Sequence, residues 1–460
     1  MRTPDGSRST IPALDTVQWA AGKKKADSRL FADDVLEHLS PVFTSLIGLI
    51  PSTDGHAVIS IDAAIPPCSH ARLRRFISEE FDVAQFGLGR NDRISILFPN
   101  GPELAVAFVS VLCYCTCAPL NPQGTAAEIE TELVNVGAKA MLVWSGSNPD
   151  VVALANKLGL VLIVAEAMAT EETAGLFTMT GSNTAAAVAR EPMRRSDTSF
   201  LLQTSGSTGN KKVVPHLLED LIVGAVCIGA ACELEPSDIC CNQMPLYHIG
   251  GIARNILAPI LSGGSVVAMS QFEPSLFWKI ASTFGCTWYY AGPTMHMLIL
   301  DTYKLLEPKP KIRLRFIANA AGPLLHSVAQ DMRDTYSKGS GHFCSIMPSY
   351  GMTECMPISS PPVSQGACLP PSPAPSHDCL TALARSGGLQ PRAPRHVRAD
   401  RRAGLPDPRR RRQRAAARLR RQHHAQGPPS DEGLREQPEG QRRELQRRRL
   451  VHDGRHGQDG

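Results

Sequence analysis

Residues 199–212 read Ser199-Phe-Leu-Leu-Gln-Thr-Ser-Gly-Ser-Thr-Gly-Asn-Lys-Lys212. An apolar run enters a loop of glycines and hydroxyl side chains, and two lysines close it. Glycines let the backbone approach an anion closely, while hydroxyls and amides can surround phosphate oxygens. Lysine adds a cation. The spacing is not that of the G-x-x-x-x-G-K-[ST] phosphate loop. Taken alone, a Ser/Gly-rich stretch also reads as an ordinary mobile turn, so its meaning rests on its flanks.

On both sides the chain alternates strands and helices. Arg93-Ile-Ser-Ile-Leu-Phe98 predicts a buried strand, Pro99-Asn100-Gly101 a turn, and Pro102 the start of a helix. Thr125 and Glu128 form a capping-box pattern, and Gly137 is placed to end that helix. Further strands are predicted over Ala140 to Trp144, Leu160 to Val164, Ser265 to Met269, Thr287 to Tyr290 and Leu314 to Ala318. Another helix is predicted over Leu276 to Phe284. Such alternation implies parallel sheets covered on both faces, an α/β fold. The run Leu104 to Leu120 is nearly all apolar, yet shorter than the roughly 20 residues of a membrane span. It is expected to be a buried helix.

The chain has 460 residues, 43% apolar and 20% charged, with a formal charge of +5. These averages suit a folded protein of roughly two to four domains. The 13 cysteines are scattered without the spacing of a zinc site, and buried reduced thiols are expected. Residues 1–41 are polar and read as an N-terminal extension or mispredicted sequence. They lack the apolar core of a signal peptide.

Composition breaks near the C-terminus. Beyond Tyr350 there is no Phe, Trp or Tyr, beyond Lys338 no lysine, and beyond Ile358 no isoleucine. Residues 363–460 are crowded with Arg, Pro, Gly, Gln and Ala, including Arg409-Arg-Arg-Arg412. Such a segment cannot bury enough apolar surface to offset an ordering entropy of roughly 1–2 kcal/mol per residue, so disorder is expected. Its about twenty arginines would suit nucleic acid electrostatically. The tail has no aromatic to stack a base, and no nucleic-acid partner is expected.

Four ordered motifs give the phosphate-loop reading its weight. Thr204-Ser-Gly-Ser-Thr-Gly-Asn-Lys-Lys212 resembles the phosphate loop of the adenylate-forming superfamily, which includes acyl-CoA ligases, luciferases and peptide-synthetase adenylation domains. The family usually has proline where this chain has Lys211. Pro245-Leu-Tyr-His-Ile-Gly-Gly251 resembles the segment whose histidine lines the acid tunnel. Asn319-Ala-Ala-Gly-Pro-Leu324 resembles the stretch whose backbone holds adenine. Ser349-Tyr-Gly-Met-Thr-Glu354 resembles the segment that stacks adenine, contacts the α-phosphate and holds Mg²⁺. Asn100-Gly101 and Ala118-Pro-Leu-Asn-Pro122 resemble the family's N-terminal part. The likeness covers residues 42 to 360, and acyl-CoA ligases fit it best.

The resemblance implies two mostly parallel-sheet α/β subdomains, residues 42–200 and 201–362, with a nucleotide site between them. It implies ATP, Mg²⁺ and coenzyme A as cofactors and a small-molecule carboxylic acid as substrate. Lys212, Thr353 and His248 become the catalytic candidates. Thr204, Ser205, Gly206, Ser207, Thr208 and Gly209 would surround phosphates. Ala320, Ala321, Gly322, Pro323, Tyr350, Gly351 and Met352 would hold adenine. Tyr247, Gly250 and Gly251, together with Tyr289 to Gly292, would line the acyl pocket, and Glu354 would bind the metal. The chemistry suits these residue types: a carboxylate attacks the α-phosphorus, pyrophosphate leaves, and catalysis is mostly positioning and charge neutralisation. A hard carboxylate suits magnesium. Taken alone, His248 would read as a core histidine and Glu354 as a solvated charge.

The family's next motifs, a Thr-Gly-Asp and a small C-terminal domain carrying a catalytic lysine, are not present after Glu354. The possible codons of Gly433 to Gly460, read one base later, permit Gly-Tyr-Glu-Asn-Asn-Pro-Lys and, further on, Thr-Gly-Asp-Met-Gly-Lys-Met. The tail therefore reads as a shifted frame beginning between residues 361 and 433. As written, the chain is expected to adenylate poorly. Two other readings stay open: an adenylation domain that loads a phosphopantetheine carrier protein, and an inactive nucleotide- or acyl-binding remnant. The expected location is intracellular: cytoplasmic, or peroxisomal if the frame is restored, since the last three residues are no peroxisomal address.

Overall fold

The structure is a computed structural model that describes residues 11–27, 30–168, 173–181, 186–204 and 211–365. Its strands are β1 (His56–Ile59), β2 (Cys68–Ser69), β3 (Arg93–Leu97), β4 (Thr116–Pro119), β5 (Ala140–Trp144), β6 (Val161–Ala167), β7 (Phe177–Gly181) and β8 (Thr198–Thr204). They continue with β9 (Lys212–Leu217), β10 (Ile239–Asn242), β11 (Ser265–Ala268), β12 (Trp288–Ala291), β13 (Phe316–Asn319), β14 (Ser345–Pro348), β15 (Tyr350–Met352) and β16 (Cys355–Ser359).

Two seven-stranded sheets result. The first runs β7-β6-β5-β3-β4-β8-β9 and the second β14-β13-β12-β10-β11-β1-β2. Every interior pair is parallel, and β7, β9 and β2 add antiparallel edges. Strands buried on both faces read as continuous apolar runs, which is why β3, β5 and β12 were legible.

The local signals act as their chemistry dictates. The Thr125 hydroxyl accepts from the Glu128 amide while the Glu128 carboxylate accepts from the Thr125 amide at 2.8 Å. Gly137 ends that helix at φ 60°, a left-handed position that glycine takes without strain. Helices Pro102–Tyr114 and Leu218–Cys232 are buried on nearly all sides, as expected of helices apolar all round. Ten of the cysteines are buried, and none of those described forms a disulfide.

Three expectations change. The apolar run Leu104 to Leu120 is not one helix: the helix stops at Tyr114, and β4 follows between β3 and β8. Uniform apolarity suits a central helix and a central parallel strand equally, so period alone could not divide them. Residues 1–41 are not a loose extension where they are described. Helices Leu14–Asp27 and Ala32–Leu39 pack on Leu218–Cys232, with Ala13, Val17, Ala20, Val35 and Leu39 buried. The boundary at residues 200/201 also fails as a division of sheets. It cuts β8, and β8 and β9 complete the first sheet while β1 and β2 complete the second. The expected disorder of the tail lies outside the described residues, except that Val363–Gln365 forms a short 3₁₀ turn. There the Ser364 amide donates to Glu233 at 3.2 Å.

Candidate active site

The predicted motifs gather at strand ends. In the second sheet, β10 leads into the His248 segment, β13 into Ala320–Pro323, and β14 into Tyr350–Glu354. All leave the carboxyl ends of parallel strands of this sheet, β13 and β14 adjacent and β10 separated from β13 by β12, at the end where open α/β sheets hold ligands. The last two motifs are joined directly: the Ser349 amide and hydroxyl both donate to the Asn319 carbonyl, at 2.8 and 3.1 Å. Ala321 sits at φ 64°, a strained value for a residue with a side chain. Asn319 steadies that turn by donating to the Gly322 carbonyl at 3.1 Å.

Tyr350 is 62% exposed, and Met352 and Glu354 are exposed beside it. A large aromatic left open next to a backbone turn is available to a flat ligand. Thr353 and Glu354 make the turn between β15 and β16. That turn lies beside His216 of β9. Burial pulls the His216 imidazole below its ordinary pKa, while the Thr353 backbone and the Glu354 charge pull the other way. The turn that carries Glu354 is thus set beside the strand that begins with Lys212.

Lys212 opposes Thr204 across the β8–β9 pair. The connection between them holds Ser205, Gly206, Ser207, Thr208 and Gly209, which lie outside the described residues. Lys211 and Lys212 have different surroundings. Lys211 pairs with the carboxylate of Glu132, whereas Lys212 is exposed and makes no ion pair among the described residues. Lys212 is therefore the cation left open toward a ligand at this end of the hairpin.

The His248 segment is clamped by two asparagines. Asn100 accepts from the Leu246 amide at 2.9 Å and donates to the Met269 carbonyl at 2.8 Å. Asn242 accepts from the Met244 amide at 3.1 Å and from the Asn255 side chain at 2.6 Å. His248 follows, exposed, its ring 4.8 Å from that of Tyr247. Packed neighbours still lower its pKa by desolvation. Gly250 and Gly251 open a π-helix, Gly250–Leu257. A methyl on Gly250 would lie 2.8 Å from the Tyr290 ring, and one on Gly251 would run into the Pro245 carbonyl. These glycines are required by close approach, and Tyr290 joins Tyr247 at the predicted acyl pocket.

A family model for the AMP-binding enzyme matches residues 83–382, which include every one of these segments. The chain belongs to the AMP-binding enzyme family. Among its relatives is a probable CoA ligase, CCL9, of Humulus lupulus, 29% identical over 62% of this chain and 54% of that protein. Another is an oxalate–CoA ligase of Arabidopsis thaliana, 26% identical over 64% of this chain and 57% of the relative. The chain thus spans little more than half the length of these curated relatives. Apo MatB from Rhodopseudomonas palustris shares the fold, with a TM-score of 0.55 at 20% identity, over 69% of this chain and 60% of that one.

A cavity of about 330 Å³ bounded by Glu80, Gln85, Met168, Phe177, Thr178 and Met179 lies at the β7 edge of the first sheet. It contains none of the predicted site residues. Among the described residues no group of three or more His, Cys, Asp or Glu could hold a metal, and no helix is long and apolar enough to cross a membrane. Sequence reading gave no role to His216, Asn100 or Asn242. His216 had a signal, since it falls on the same strand face as Lys212 at a spacing of four.

Proposed function

We propose that this chain carries the ATP- and acid-binding part of an acid–CoA ligase of the AMP-forming type. The observation that supports it best is the convergence of Lys212, the His216-backed Thr353–Glu354 turn, the exposed Tyr350 and the Ala320–Pro323 turn. Each meets a different part of one ligand: a charged phosphate chain, a phosphate oxygen, a base plane and a base edge.

Lys212 offsets the charge that builds on the departing pyrophosphate, acting with the hydroxyls of the preceding loop. Thr353 donates to an α-phosphate oxygen and fixes the phosphorus for attack by the acid's carboxylate. Tyr350 offers a face for adenine, and the Ala320–Pro323 backbone borders it. His248 and Tyr247 stand where the acid enters and orient its carboxylate.

Magnesium binds ATP-using sites through one or two carboxylates plus phosphate oxygens and water, rather than through an all-protein cage. A single exposed carboxylate at Glu354 fits that habit. The ion, when bound, supplies positive charge to the phosphate oxygens. Coenzyme A is the acceptor that the two ligase relatives favour.

Isothermal titration of the full chain with MgATP tests this reading. Saturable binding weakened at least tenfold in Lys212→Ala supports it. Binding that ignores Lys212, Tyr350 and Glu354 substitutions contradicts it.

A further inference from the structure

Helix Leu218–Cys232 carries two interior glycines, Gly224 and Gly229, both buried. Glycine is the poorest helix former after proline, because ordering its backbone loses the most entropy. A buried helical glycine makes sense where something must come close to the helix backbone. The two glycines differ in what comes close. A methyl on Gly229 would lie 3.0 Å from the Ser262 hydroxyl and 3.4 Å from the Val17 methyls. Those are side-chain ends, which can give way. A methyl on Gly224 would run into the backbone carbonyl of Met356, which cannot give way without moving its strand.

That strand is β16, and Met356 stands two residues after Glu354. Met352 pairs with Cys355, so Thr353 and Glu354 are the two residues that turn the β15–β16 hairpin. The other end of the hairpin is held independently. Tyr350 follows Ser349, whose amide and hydroxyl both bond the Asn319 carbonyl of the second sheet. A push at Met356 therefore displaces the turn more than it displaces Tyr350.

The turn rests on the stretch of chain that also carries the phosphate cation. β9 opens at Lys212, passes His216 and runs without a break into the helix at Leu218. His216 is 8% exposed, its ring lies 5.5 Å from that of Phe200, and it interacts with the Thr353 backbone. The tip of the hairpin thus meets this segment twice, at His216 beside the turn and at Gly224 against Met356. Binding groups work only when held within about 0.5 Å of their productive places.

We infer that Gly224 and His216 are positioning residues that seat the Thr353–Glu354 turn and set where it stands relative to Lys212. Gly224 acts by having no side chain, which lets β16 lie directly on the helix. His216 holds the turn itself. The inference rests on the functional reading above, in which Glu354 meets magnesium and Lys212 the phosphates.

The test titrates ATP, with and without magnesium, into the full chain and its Gly224→Ala, Gly229→Ala and His216→Phe variants, with thermal unfolding alongside. Magnesium is expected to tighten ATP binding to the parent chain at least tenfold. Gly224→Ala should lose most of that gain, while metal-free ATP binding changes less than twofold, because Tyr350 and Lys212 stay in place. His216→Phe keeps a ring on Phe200 but loses the contact to Thr353, and should show the same selective loss. In a Glu354→Gln background, Gly224→Ala should weaken MgATP binding no further, because both changes act through one carboxylate. Gly229→Ala, on the same helix, should bind as the parent does. A magnesium gain that survives in Gly224→Ala overturns the inference, as does an equal loss with and without magnesium, which would mark a merely structural role. A loss in Gly229→Ala as large as in Gly224→Ala overturns it too. If Gly224→Ala is insoluble, His216→Phe decides alone, and a surviving magnesium gain there sinks the proposal. A parent chain that binds no ATP contradicts the functional reading itself, whereas a parent that binds MgATP no better than its Gly224→Ala and His216→Phe variants contradicts only the seat.

Discussion

Asn100, in the turn after β3, accepts a 2.9 Å hydrogen bond from the backbone amide of Leu246, two residues before His248. One side chain from the first sheet thereby fixes the segment that carries His248 in the second. Its amide nitrogen also holds the Met244 and Met269 carbonyls, at 3.3 and 2.8 Å. The relation explains why an Asn-Gly turn far away in sequence lies against the His248 segment.

Asn100→Ala should therefore do two things. It leaves partly buried backbone groups unpaired, for a loss of about 2–3 kcal/mol in urea unfolding. It also frees the His248 segment, so acid binding should weaken more than nucleotide binding. Equal weakening of both ligands would count against a local clamp.

Lys211 and Lys212 should separate cleanly. Lys211→Ala removes an ion pair with Glu132 at a half-exposed position, and should change stability by under about 1 kcal/mol with MgATP affinity intact. Lys212→Ala should lose MgATP affinity at least tenfold with Tm unchanged. Reversed effects in calorimetry would place the phosphate cation at Lys211.

The two glycines after Ile249 should differ as well. A Gly250 methyl meets the side-chain ring of Tyr290, which can shift, for a cost of about 1–3 kcal/mol. A Gly251 methyl meets the backbone carbonyl of Pro245, which cannot shift without moving the His248 segment. Gly250→Ala is expected to fold with lowered Tm, and Gly251→Ala to be recovered mostly as insoluble protein. Equal soluble yields would contradict this ranking.

Acid should destabilise the fold before the carboxylates titrate. His70 and His296 are fully buried, and burial pulls each down to a pKa of about 4 from an ordinary 6.5. The unfolded chain takes up a proton that the native imidazole refuses. Stability is then fully present above pH 6.5 and falls as pH drops toward 4, by up to about 3 kcal/mol per histidine. His70 Nε2 donates to the Gly264 carbonyl at 3.0 Å. Urea unfolding at a series of pH values should show a shallower acid slope in His70→Asn than in the parent chain.

Much of the fold was legible because strong local chemistry and tertiary demand agree. Thr125, Glu128 and Gly137 cap one helix as their side chains dictate, and Ala140–Trp144 is buried on both faces. The division of Leu104 to Leu120 was hidden because a central helix and a central strand want the same residues. The docking of helices Leu14–Asp27 and Ala32–Leu39 was hidden by exposed charges such as Asp15, Lys25 and Asp33, which mask a narrow stripe at Ala13, Val17 and Ala20. At the site, the motifs gave Lys212, His248, Tyr350 and Glu354. His216 could not be read as a neighbour of Glu354, since the turn between β15 and β16 that lies beside it is distant in sequence.

Equilibrium binding of MgATP to the full chain and to a Lys212→Ala, Glu354→Gln double variant tests the central claim most directly. The parent chain should bind one MgATP saturably, with affinity that falls when magnesium is withdrawn, and the double variant should lose at least a hundredfold with no change in Tm. A parent chain that binds no nucleotide, or a double variant that binds as well as the parent, would contradict the account.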